Sequence, residues 1–118
     1  MELLLETAKR RNHTFFKISG DLNYEGTLRL KNAFEEAFAQ TDQHFILDLK
    51  GCKIISSFAL SMLLKLNDSI KEKNGTFKII CPSGDVSDVF DVLDIRNVIP
   101  IYISEEELWQ HSGSGAPE

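Results

Sequence analysis

The chain is poor in the residues that metal and nucleophilic chemistry need. Among its 118 residues there are two cysteines and three histidines. Cys52 and Cys81 form no Cys-x-x-Cys and have no histidine pair beside them, so neither a disulfide framework nor a zinc site is expected. Isolated cysteines near strand ends read instead as small buried hydrophobes in a reducing compartment. His13 falls near a predicted hairpin turn, His44 at the start of a strand and His111 in the tail. That placement suggests no nucleophile–base pair. The Gly-x-Ser-x-Gly elbow, the phosphate-binding Gly-x-x-x-x-Gly-Lys-[Ser/Thr] loop and the Gly-x-Gly-x-x-Gly dinucleotide fingerprint are all missing from the sequence. The expectation is a protein that is not an enzyme and carries no cofactor.

Positive charge is also scarce. Thirteen basic residues face eighteen acidic ones, for a formal net charge of −5. Nucleic-acid binding needs clustered Lys and Arg, and the one local cluster, Lys9-Arg10-Arg11, reads as a solvated turn. No apolar run approaches a membrane span, and the Met1–Glu6 stretch is too short for a secretory h-region. The reading is therefore a soluble cytoplasmic protein with no nucleic-acid partner and no membrane insertion.

What is present is an ordinary globular composition, 42% hydrophobic and 26% charged, over a length suited to one domain. Residues 3–9 and 12–19 read as two strands joined by a turn near Arg10-Arg11-Asn12, with Gly20-Asp21-Leu22-Asn23 breaking the second. From Tyr24 to Gln40 the period becomes helical, with Leu28, Leu30, Ala33, Phe34, Ala37 and Phe38 on one face and Asn23 as N-cap. His44–Leu49 is the short apolar run of a strand buried on both sides, ended by Gly51. A second helix runs to about Lys73 on a stripe of Ala59, Met62, Leu63, Leu66 and Ile70. Asn74-Gly75 stops it. A strand over 76–81 follows, then a helix carrying Val86, Val89, Phe90 and Leu93. An edge strand over 98–103 tolerates Pro100, and Ser104-Glu-Glu-Glu107 forms a capping box opening a last short helix with Leu108 and Trp109. The order β-β-α-β-α-β-α-β-α implies an α/β fold whose largely parallel sheet is opened by an antiparallel hairpin. Residues 1–110 are read as the domain, and 111–118 as a disordered tail.

Two places draw functional interest. Asp21 and Asp48 fall near strand ends, where loops of parallel sheets often form the working edge. Asp48, inside a strand pattern, reads as a hydrogen-bonded polar residue at the edge of the core. Ser56-Ser57 precedes the second helix. One reading is a cap and a bystander. The other is a phosphoacceptor, because a phosphate at a helix N-terminus is tolerated by the fold yet would repel a surface packed against it.

Read together, Ile18-Ser19-Gly20-Asp21-Leu22-Asn23-Tyr24, Ile46-Leu47-Asp48-Leu49 and Ile54-Ile55-Ser56-Ser57 resemble the STAS domain of bacterial anti-sigma-factor antagonists. Phe90-Asp91-Val92-Leu93-Asp94-Ile95, Ile99-Pro100-Ile101-Tyr102 and Ser104–Glu107 resemble that family's last helix, edge strand and closing acidic helix. The resemblance covers about residues 3 to 110 without a large insertion. It implies a STAS fold, with a mixed sheet and about four helices, and a binding module that acts as a monomer in a partner-switching pathway. Its implied partners are an anti-sigma factor that is a serine kinase of GHKL type and a PP2C-type phosphatase. The family motif Asp-Ser-Ser-Gly aligns with Ile55-Ser56-Ser57-Phe58, so the resemblance places the phosphorylated serine at Ser57, with Ser56 second. Ile55 and Phe58 depart from the motif. Phe58 reads either as a repacked core residue or as an exposed aromatic anchor. Partner contacts are expected at Asp21, Asn23, Ser56, Ser57, Phe58 and Ser61. The alternative is an unphosphorylated accessory subunit of an ABC-type lipid transporter or of a stress-sensing scaffold.

Overall fold

The computed structural model describes residues 3–111. Strands β1 (Leu4–Arg10) and β2 (His13–Leu22) form a hairpin, followed by helix α1 (Tyr24–Ala39), β3 (His44–Ile55), α2 (Ser57–Glu72), β4 (Thr76–Ile80) and α3 (Asp85–Val92). A 3₁₀ turn at Ile95–Asn97 leads to β5 (Ile101–Tyr102) and α4 (Glu105–His111). The sheet order is β1-β2-β3-β4-β5. Only the β1–β2 pair is antiparallel; every later neighbour is parallel. This is the mixed α/β sheet with four helices that the sequence implies. His111 closes α4 rather than starting a tail, and residues 112–118, the rest of the expected tail, lie outside the described residues.

Alternation along the strands sorts the core into two layers. Phe16, Ile18, Phe45, Leu47, Leu49, Phe77 and Ile79 point to the side covered by α1, α2 and α3, where they meet Leu30, Phe34, Leu63, Ile70 and Phe90. Phe15, Ile46 and Ile80 point to the other side and are covered by Leu108 of α4. Phe34 is fully buried, with ring contacts to Phe16 at 4.5 Å and Phe45 at 5.2 Å. Truncating such a side chain costs about 3–5 kcal/mol. Leu28, expected on the apolar face of α1, is 36% exposed.

The hairpin turns on Arg11 and Asn12, both at positive φ, as a two-residue connection between right-twisted strands requires. Asn74 takes the left-handed position after α2, at φ 63°. At the start of α4 the Ser104 Oγ accepts from the Glu107 N–H, and the Glu107 carboxylate accepts from the N–H of Ile103.

Three expectations need correction. β2 is not broken at Gly20 but runs on to Leu22, kept in register with β3 by irregularities between Lys17 and Ser19 and between Gly20 and Asp21. Gly20, at φ 109°, supplies a backbone conformation there that other residues rarely adopt. β3 does not end at Gly51 but continues to Ile55. Gly51 is needed for close approach instead: a Cβ there would lie 2.6 Å from Ser19 Oγ. β5 is two residues long rather than six, because the turn after the 3₁₀ segment holds the start of the expected strand: the N–H groups of Val98 and Ile99 both donate to the Ile95 carbonyl, at 2.9 Å.

Candidate functional site

The extensions of β2 and β3 carry the chain to one edge of the sheet. Asp21 is in register with Ile54, and Leu22 with Ile55. The pairing continues one residue further, with the Ser56 N–H donating to the Leu22 carbonyl at 3.0 Å. Each strand then passes through a single extended residue into a helix. Asn23 Oδ1 accepts from the Gly26 N–H at 2.8 Å, and Ser56 Oγ accepts from the Ala59 N–H at 3.1 Å. Thr27 Oγ1 donates to the Asn23 carbonyl at 2.6 Å. The N-termini of α1 and α2 therefore stand side by side, each with its positive dipole end at the carboxyl edge of the sheet.

This arrangement divides the serine pair. Ser56 is half-buried and its hydroxyl is committed to the cap. Ser57 is the first residue of α2 and is exposed. A dianion on Ser57 would sit at the positive end of α2, whose first turn holds no acidic residue. Phe58, left open between core and surface, is 41% exposed and packs on the ring of Tyr24, itself 62% exposed, at 4.8 Å. Ser61 is exposed one turn further along α2. Asn23 is exposed, and Asp21 is half-buried at the end of β2. The six expected residues thus gather around the two capped helix starts. Tyr24 belongs with them and was not singled out from the sequence. The available signal was its position directly after the Asn23 cap, beside the chain that leads into Ser57.

Asp48 and the two cysteines have structural settings. Asp48 is buried and accepts from the Lys50 N–H at 3.0 Å, with the Lys50 ammonium 3.5 Å away. Cys52 and Cys81 are buried free thiols. Burial pushes the Cys52 thiol up to about 11, which leaves it protonated and unreactive at neutral pH. Among the described residues no cluster of His, Cys, Asp and Glu could hold a metal ion, and no helix is long and apolar enough to cross a membrane.

The STAS domain family model matches residues 5–108. A search of curated proteins finds no match. Among solved structures, an anti-sigma factor antagonist from Mycobacterium paratuberculosis superposes with a TM-score of 0.83 over 92% of each chain, at 13% identity. The anti-sigma factor antagonist SpoIIAA in its unphosphorylated form gives 0.70 over 94% of this chain and 96% of that one, at 15% identity. SpoIIAA of Bacillus in the phosphorylated form gives 0.71 over 93% and 100%, at 14% identity. At these identities the likeness to each structure is one of fold. The match of the family model along nearly the whole described chain, on a five-stranded mixed sheet with four helices, places this protein in the STAS domain family.

Proposed function

We propose that this protein is a regulatory binding module of the anti-sigma-factor-antagonist type, without catalytic activity of its own, that works in the cytoplasm as a monomer. In this reading it binds an anti-sigma factor that is a serine kinase of GHKL type. Phosphorylation of Ser57 by that kinase releases it, and a PP2C-type phosphatase restores binding. The observation that carries the reading is the division of labour at the start of α2: Ser56 holds the cap, while Ser57, next to the Phe58 that packs on Tyr24, is exposed. Phosphorylation there adds close to two negative charges without disturbing the cap. A partner packed on the same surface must desolvate those charges, so binding is lost while the fold remains.

A second reading, an unphosphorylated accessory subunit of a transporter or scaffold, draws on Ile55. Its side chain packs partly against the core, so no carboxylate stands directly before the serine pair. Affinity purification from the native host, comparing wild type with Ser57→Asp, separates the two. Recovery of a GHKL-type kinase with wild type and its loss with the variant supports partner switching. Recovery of the same transporter or scaffold subunits with both forms overturns it in favour of the second reading.

A further inference from the structure

The outer side of α3 carries a feature that the Ser57 switch does not use. The helix reads Asp-Val-Ser-Asp-Val-Phe-Asp-Val, with valines every third residue. On a helix of 3.6 residues per turn, a three-residue repeat drifts steadily around the axis. Val86 is accordingly buried, Val89 is at the border, and Val92 is 82% exposed. Leu93, 53% exposed, and Ile54 at the end of β3, 57% exposed, extend the same apolar surface. A hollow of about 330 Å³ lies among Asp88, Val89, Val92 and Leu93. A second, of about 230 Å³, joins Val89 to Ile54 and Ile55. Large apolar side chains clustered on the surface in this way mark an interaction surface.

The rim identifies the occupant. Asp85, Asp88, Asp91 and Asp94 are all exposed along this helix and its end. Asp88 lines the first hollow and Asp85 the second, where Lys53 is the one basic neighbour, so acid prevails at the edge. Asp85 and Asp88 also complement the N-terminus of α3, which has no side-chain cap, and both stay exposed beside the hollows. A second copy of this chain would set one row of carboxylates against another. An anionic lipid surface would be repelled in the same way. Residues 112–118 contain no large apolar side chain that could fill the hollows.

We infer that the surface formed by Ile54, Val89, Val92 and Leu93 docks a basic amphipathic helix of a partner protein. Apolar side chains three and four residues apart on that helix enter the two hollows, and its Lys or Arg residues reach the aspartates. The inference goes beyond the proposed switching function, since it requires nothing of Ser57.

The test is an NMR titration of the full chain, labelled with ¹⁵N, with a synthetic helical peptide of Leu and Lys and with a control peptide carrying Glu in place of Lys. The expected result is a focused set of shifts at residues 54, 89, 92 and 93 with the basic peptide only. Affinity should fall at least tenfold in the double variant Val92→Asn, Leu93→Asn, whose exposed positions leave the rest of the spectrum unchanged. Equal response to the acidic peptide overturns the inference, as do shifts spread over the surface without a centre on α3. So does concentration-dependent broadening of these residues without peptide, which would mean a second copy. Equal binding to phosphatidylglycerol vesicles, which would mean a membrane surface, also overturns it.

Discussion

Tyr24 and Phe58, each in the first turn of its helix, bring their ring centroids to 4.8 Å at the point where α1 and α2 leave the sheet together. Both rings are exposed, Tyr24 more than Phe58, so the pair is a small stabilising contact and a large adhesive one. A double-mutant cycle with Tyr24→Ala and Phe58→Ala should give a coupling of about 0.5–1 kcal/mol in urea denaturation. The same variants should cost more in partner affinity than in stability, above about 1 kcal/mol each, as for aromatic anchors at interfaces. Affinities unchanged within error would remove the pair from the docking surface.

The two serines should separate cleanly. Ser56→Ala removes the acceptor of the Ala59 N–H and is expected to destabilise the fold by about 1 kcal/mol. Ser57→Ala touches no cap and should stay within about 0.5 kcal/mol of wild type. Thermal melts of the two variants check this. In a kinase reaction, Ser56→Ala should still incorporate phosphate and Ser57→Ala should not. The reverse pattern would move the acceptor to Ser56.

Helix starts and stops were legible because they rest on local chemistry. Asn23 and Ser104 cap where the sequence puts them, and the stripe of α2 is buried as its period requires. Strand ends were less legible. Gly20 and Gly51 look like breaks in one dimension, yet each serves a strand that continues, one by a positive φ and the other by leaving room for Ser19. That information is in the pairing of β2 with β3, which single-strand patterns do not contain. At the candidate site, the gathering of Asp21, Asn23, Ser56, Ser57, Phe58 and Ser61 was suggested by a family resemblance. Tyr24 was missed because its contact with Phe58 exists only once the two helices stand together. Leu93 was counted as part of a helical stripe, but α3 ends at Val92 and Leu93 is its C-cap, past the last helical residue, where its side chain is 53% exposed.

Arg10 clasps Glu105 with two hydrogen bonds, at 2.7 and 3.2 Å, tying the hairpin to α4. Trp109 Nε1 donates to the same carboxylate at 2.9 Å. The Arg10 hydrogen bond, foremost, holds the Glu105 carboxyl below its usual range. A depressed carboxyl stabilises the fold fully above its unfolded pKa of about 4.3, and the contribution drains away as pH falls through the folded value. Both side chains are partly exposed, so the pair is worth about 0.5–1 kcal/mol. Glu105→Gln should therefore lower stability by that amount at pH 7 and converge with wild type near pH 3. Denaturation followed by Trp109 fluorescence reads this directly. A constant gap across the range would assign the effect to packing rather than charge.

Ser57→Asp offers the sharpest separation of fold from function. The first turn of α2 contains no acidic residue, so a carboxylate there meets an unneutralised helix dipole and should raise stability by about 0.3–1 kcal/mol at low salt. Under the proposed function the same substitution weakens partner binding by at least tenfold, because the partner must desolvate that charge. Stability and affinity thus move in opposite directions, which no unfolding artefact can imitate. Measuring both on one preparation, with salt varied, completes the argument: the stability gain should fade with added salt as the dipole interaction is screened. If the variant is instead destabilised by more than 1 kcal/mol, its loss of binding would report damage to the α2 start, and the switch would have to be argued from phosphorylated protein alone.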